Sequence, residues 1–160
     1  MSTIKKFLNL IFIDGLSGMA LGMFSTLIIG TILKQAADLI GGDFGYYLGV
    51  FAVMAQRLTG AGIGIGVAYK YKSSTYVTLS AAAAGMIGAY ATAIISGSIL
   101  SDGTLVYSGP GDPLSAFIAA LAGIAVGSLP AGKTKLDLLI TPAVTIIAGG
   151  AVGLIVGPPV

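Results

Sequence analysis

Five apolar stretches, with paired lysines in every second gap between them, commit this chain to crossing a lipid bilayer repeatedly. The stretches run over residues 7–33, 44–69, 76–100, 113–130 and 137–157. At about 1.5 Å of rise per residue, most are long enough as helices for a hydrocarbon core of roughly 30 Å. Lys5 and Lys6 precede the first stretch, Lys70 and Lys72 follow the second, and Lys133 and Lys135 follow the fourth. The alternate gaps hold Lys34, Asp38 and Asp43, and then Asp102 and Asp112. Lysine-rich gaps stay in the cytoplasm, so the N-terminus is expected inside and the C-terminus outside.

Composition narrows the chemistry. The chain is 56% hydrophobic and 9% charged, with a mean hydropathy of +0.99. A soluble domain of this size has too little interior to hide that much apolar surface. The lysines are accounted for by topology, so the net charge of +2 carries no nucleic-acid signal. With 0 Cys and 0 His, disulfides, soft-metal sites and thiol or imidazole catalysis are excluded by inventory. No cofactor is implied, and without His, Cys or Glu in the spans no acid–base constellation can be assembled. Lys5 and Lys6 ahead of Phe7–Ile13 imitate a signal peptide, but the apolar run continues past a signal core without a cleavage pattern and reads as a retained span.

Helices are the expected way to satisfy the backbone in lipid, since no strand alternation suggests a barrel. The 25 glycines indicate how they pack. Gly18 and Gly22, Gly62 and Gly66, Gly123 and Gly127, and Gly149, Gly153 and Gly157 recur at four-residue spacing, and Ala81, Gly85, Ala89, Ala93 and Gly97 make a further small-residue stripe. Such stripes let helix backbones approach closely; a glycine-lined solute path is the alternative. Gly60, Gly62, Gly64 and Gly66 spread around the whole circumference, which predicts a weak or broken helix there. A nucleotide loop is rejected, because no strand precedes these glycines and they lie inside an apolar span.

Arg57 lies near the middle of the second stretch beside Gln56. An arginine at the bilayer centre costs about 3 kcal/mol on insertion scales and needs a partner or a wet cavity. Two readings stand: an ion pair with Asp14 in the first stretch, or contact with an anionic or hydroxyl-rich solute. Tyr46, Tyr47, Tyr69, Tyr71, Tyr76 and Tyr107 sit near span ends as interfacial anchors. Tyr90 falls mid-span, where it either packs or stacks on a sugar ring.

The last third is the most specific text. Ser108-Gly-Pro-Gly-Asp-Pro113 ends an outer loop, with Asp112 as helix cap and Pro113 in the first helical turn. Gly132-Lys-Thr-Lys-Leu-Asp137 forms an inner connection into Leu138-Leu-Ile-Thr-Pro-Ala-Val-Thr145. Thr141 before Pro142 predicts a second helix start, leaving only about 24 Å of helix before Gly157-Pro158-Pro159 stops it. An unwound entry over 137–141, and so a broken fifth helix, would resolve the shortage; it presents half-helix ends to a solute, or merely caps and kinks.

Residues 111–117 (Gly-Asp-Pro-Leu-Ser-Ala-Phe) and 132–145, with Ser17-Gly-Met-Ala-Leu-Gly22 and Gly30-Thr-Ile-Leu-Lys34, resemble the second-type membrane IIC component of the bacterial sugar phosphotransferase system. Regulators of toxin genes of the perfringolysin type share that family. The resemblance runs from about residue 8 onward. It implies a plasma-membrane permease domain that moves a sugar inward while soluble phosphotransferase components, carrying the phosphohistidine and phosphocysteine relay, phosphorylate it. Members with this pattern continue for about the same length again, so the chain is expected to be an N-terminal half that associates with a C-terminal half or with copies of itself.

The expectation is therefore an all-α, polytopic transmembrane helical bundle of five spans in one domain. Its candidate solute or gating contacts are Gln56, Arg57, Asp112, Lys133, Lys135, Asp137 and Thr141, with Asp14 as a structural ion-pair partner. A permease component, a membrane-embedded sensor of gene expression and a structural fragment are the three competing roles.

Overall fold

Apolar sequence this dense in glycine leaves van der Waals contact between backbones as the main force joining helices, and the fold follows from where glycines allow it. A computed structural model describes residues 2–133 and 135–157. The first helix, α1 (Ser2–Ile40), is 39 residues long, or about 58 Å. It runs through the expected gap at Lys34 and Asp38 because these two residues pair across one turn at 2.7 Å. Gly41 and Gly42, at φ +67° and +65°, then reverse the chain with no intervening loop. The return strand of this hairpin is α2 (Gly42–Arg57) followed by α3 (Thr59–Lys70), bent by 54° at Leu58.

Four glycines sit on α3, and the expected broken helix there is overturned: Gly60–Gly66 lie in regular α-helix. Successive glycines two apart fall on opposite faces, so α3 has two smooth sides. Gly62 and Gly66 meet Gly22 and Gly18 of α1, where a Cβ on Gly18 would lie 2.5 Å from the Gly66 carbonyl oxygen. Gly60 and Gly64 meet Gly85 and Ala81 of the next helix, where a Cβ on Gly60 would lie 2.7 Å from the Gly85 oxygen. The break falls at Leu58 instead, just before the first glycine.

The central helix α4 (Thr75–Ala89) opens on Ser74, whose hydroxyl accepts the Val77 N–H, and gives way at Tyr90 to the short α5 (Ala91–Ser96). A small hairpin pairs β1 (Leu100–Ser101) with β2 (Thr104–Leu105) through Asp102 and Gly103, both at positive φ. Asp112 caps α6 (Pro113–Gly127), accepting the Leu114 N–H at 3.0 Å with Pro113 in the first turn, as the sequence predicts.

The expected break in the fifth helix is also overturned. α7 (Asp137–Val156) is continuous for 20 residues with Pro142 inside it. Proline forfeits one backbone bond, but side chains hold the turn together. The Thr141 hydroxyl donates to Asp137, the Thr145 hydroxyl donates to the Thr141 carbonyl at 2.8 Å, and both threonines are fully buried. Starting at Asp137 gives α7 about 30 Å, enough for a span. Pro158 and Pro159, expected to stop this helix, lie outside the described residues.

Each of the five apolar stretches thus becomes a helix or a bent pair, and the chain is an all-α helical membrane bundle. By length and composition, α1 and α7 are able to cross a membrane alone, and α2 with α3 as one bent span; α4 and α6 are shorter apolar helices. The core is built on α4 against α3, α6 and α7, from Ile63, Val67, Val77, Ala81, Ala116 and Ala120. The Ile29–Arg57 end of the first hairpin packs almost wholly on itself, leaving Leu39, Phe44 and Phe51 exposed.

Candidate functional site

Hydrogen-bonding groups come free in an apolar bundle only where helices are interrupted. Three interruptions meet at one level. Leu58 separates α2 from α3, Tyr90 separates α4 from α5, and α1 has a π-helical turn at Phe24–Ile28 opposite Leu58. Gly22 against Gly62 and Gly30 against Gln56 fix that register. Side chains take up the freed groups. The Thr59 hydroxyl donates to the Gln56 carbonyl at 2.7 Å, and the Thr26 hydroxyl donates to the Gly22 carbonyl at 2.7 Å. The Gln56 amide donates to the Thr31 hydroxyl at 3.1 Å. The Tyr90 hydroxyl reaches two carbonyls, of Gly109 at 2.6 Å and of Arg57 at 3.2 Å, so it ties the end of α2 to the loop leading into α6. The Tyr107 ring packs against Tyr90 with centroids 5.0 Å apart and planes tilted by 45°.

Asp112 closes the same level. Its N–H donates to the Ala89 carbonyl at 2.8 Å, and its carboxylate accepts the Ser115 hydroxyl at 2.7 Å as well as the cap bond. Both carboxylate oxygens are therefore engaged in the first turn of α6, while the backbone N–H holds the loop on α4. Arg57, half-buried at the break, forms no ion pair among the described residues.

The expected Asp14–Arg57 pair is not formed. Among the described residues the only salt bridge is Lys34–Asp38. Asp14 lies in the earlier π-helical turn of α1, Leu10–Gly15, beside Tyr71, whereas Arg57 precedes the other end of α3. The 12 residues of α3 hold the two ends about 18 Å apart. At the Asp14 end the Tyr71 hydroxyl donates to the Leu10 carbonyl at 2.8 Å. Burial, and then the Asp14 carboxylate, hold the Tyr71 hydroxyl above its ordinary pKa.

The predicted contacts consequently fall into two groups. Gln56, Arg57 and Asp112 share the level of the breaks. Lys133, Lys135, Asp137 and Thr141 lie at the lysine-rich end, where Asp137 accepts the Gly132 N–H at 2.9 Å and the Thr141 hydroxyl. Ser115, beside Asp112, donates to the Gly157 carbonyl at 3.3 Å. The groups are thus separated by most of α7, about 24 Å from Thr141 to Gly157. Lys133 and Lys135 are exposed, and Thr141 is buried with its hydroxyl already bonded.

Sequence reasoning missed Thr26, Thr31 and Thr59 at the breaks, and Tyr107, expected as an interfacial anchor, packs its ring against Tyr90 at a 45° tilt. A signal was present: Thr26 lies 15 residues before Gly41 and Thr59 lies 17 residues after Gly42, so the turn brings the two threonines to nearly the same level. The matching of polar positions across that turn marks the level at which both arms of the hairpin are interrupted.

Residues 13–160 match the family model described as phosphotransferase system, EIIC. The chain belongs to the EIIC family. No curated protein and no solved structure matches it. Membership makes this EIIC chain a membrane component of the sugar phosphotransferase system, with a sugar substrate and soluble phosphotransferase components implied as partners. The matched region takes in both groups of polar residues and every interruption except the start of the first π-helical turn.

Proposed function

We propose that this EIIC chain carries a sugar inward across a bacterial plasma membrane, with soluble phosphotransferase components phosphorylating it on the cytoplasmic side. In this reading the lysine-rich end and the N-terminus face the cytoplasm and the C-terminus faces out. The sugar is met at the interrupted helices, where Arg57 and Gln56 supply donors and Tyr107, backed by the buried Tyr90, supplies an aromatic face. Lys133, Lys135 and Asp137 line the exit side, with the buried Thr141 holding the Asp137 carboxylate, and Asp112 keeps the outer loop in place. The reading rests chiefly on one observation: a half-buried arginine, without an ion pair among the described residues, stands where two helices break. Broken helices expose backbone and side-chain groups at the depth where transporters bind polar solutes. The exposed apolar end of the first hairpin is the surface on which a second copy or a C-terminal half would add.

Uptake of labelled sugars into vesicles, with and without the soluble relay proteins, tests the proposal. Relay-dependent uptake that falls at least tenfold in Arg57→Ala supports it. Uptake indifferent to both the relay and Arg57, together with altered transcription on deletion of the gene, would assign the chain to regulation instead.

A further inference from the structure

A groove of about 740 Å³ opens at the lysine-rich end of the bundle, between the first turns of α1 and the flank of α6. Leu10, Ile11, Ile118 and Leu121 form its apolar walls, while Lys72 and Ser73 stand at its mouth. Nothing in the sugar reading uses it, and its walls offer a sugar few hydrogen bonds. Lys72 is also held at φ +55°, a left-handed conformation that suits glycine and costs a lysine about 1–2 kcal/mol. The surrounding charge is one-sided. Lys5, Lys6, Lys70, Lys72, Lys133 and Lys135 belong to this end, against Asp14 and an Asp137 already bonded to Gly132 and Thr141.

We propose that the groove is a binding site for an anionic phospholipid, with an acyl chain along Leu10, Ile11, Ile118 and Leu121 and the phosphate at Lys72. Apolar walls reward the chain in proportion to the methylenes they bury, and the cation at the mouth selects the charge of the headgroup. Basic pockets between membrane helices bind anionic headgroups on the same principle. A soluble anion would gain only the weaker half of this arrangement. The site does not depend on the sugar reading.

The test uses the full chain purified in neutral detergent, with retained lipid counted by native mass spectrometry after addition of phosphatidylglycerol or phosphatidylcholine. The wild type is expected to prefer phosphatidylglycerol by about fivefold, the effect of one lysine at a membrane surface. Lys72→Gly removes the cation while accepting the same backbone conformation without strain, so it should keep or raise the melting temperature and lose the preference. Leu121→Trp should reduce retention of both lipids by filling the groove, and Lys34→Gln, at the opposite end, should leave the preference intact. Equal retention of the two lipids by the wild type, as a groove filled by a second copy would give, overturns the proposal. So does an undiminished preference in Lys72→Gly, or displacement of the lipid by glycerol phosphate at equal concentration.

Discussion

A single methyl group tests the packing of α3 more sharply than any larger change. On Gly60 it would meet the Gly85 carbonyl oxygen at 2.7 Å and the Ala89 Cβ at 2.8 Å, with backbone on one side and no flexible side chain to yield. Gly60→Ala is expected to lower stability by about 1–3 kcal/mol through overpacking, read as a fall in the melting temperature in detergent. Gly49→Ala meets only the Ala37 Cβ at 3.7 Å, an ordinary contact, and should be tolerated. At the interrupted helices, Tyr90→Phe keeps the ring on Tyr107 and removes only the hydroxyl that reaches Arg57 and Gly109. The expected loss is about 1 kcal/mol, plus a drop in sugar uptake if the level of the breaks must be held rigid. An unchanged melting temperature in this variant would show that the hydroxyl ties nothing down.

Proline 142 distinguishes two pictures of α7 at the scale of the element. The helix runs unbroken from Asp137, so Pro142→Ala restores a missing backbone bond without asking the chain to change course. It should stabilise the protein by up to about 3 kcal/mol, measured by thermal unfolding. A helix that began afresh at Thr141 would gain nothing from the change, since proline suits a first turn. The start of α6 was legible beforehand: Asp112 and Pro113 form a cap that needs only neighbours in sequence. Continuity of α7 was not, because the bonds from Thr141 to Asp137 and from Thr145 to Thr141 depend on burying both threonines against α6. Gly127 shows how close that approach is, as a Cβ there would lie 2.9 Å from the Thr145 Cβ. Likewise, two-residue glycine spacing reads as weakness in a lone helix and becomes close packing once a neighbour lies on each side.

Charge placement makes its prediction for the molecule as a whole. Single cysteines at Tyr71 and Lys135 should react with a membrane-impermeant thiol reagent only from the cytoplasmic side, and one at Asp102 only from outside. Labelling of all three from one side would remove the orientation on which the inward direction of transport rests. The sequence by itself determined the class of the protein, because apolar length, lysine placement and glycine content act through solvent and need no knowledge of which helix touches which. It also carried the family pattern and the Asp112 cap, both written in contiguous residues. Only the tertiary structure decided that Asp14 and Arg57 stand at opposite ends of α3, that the helices break at Leu58 and Tyr90, and that the polar residues form two groups. Those outcomes depend on the register between helices, and register is set by surfaces that come into contact only when the bundle closes.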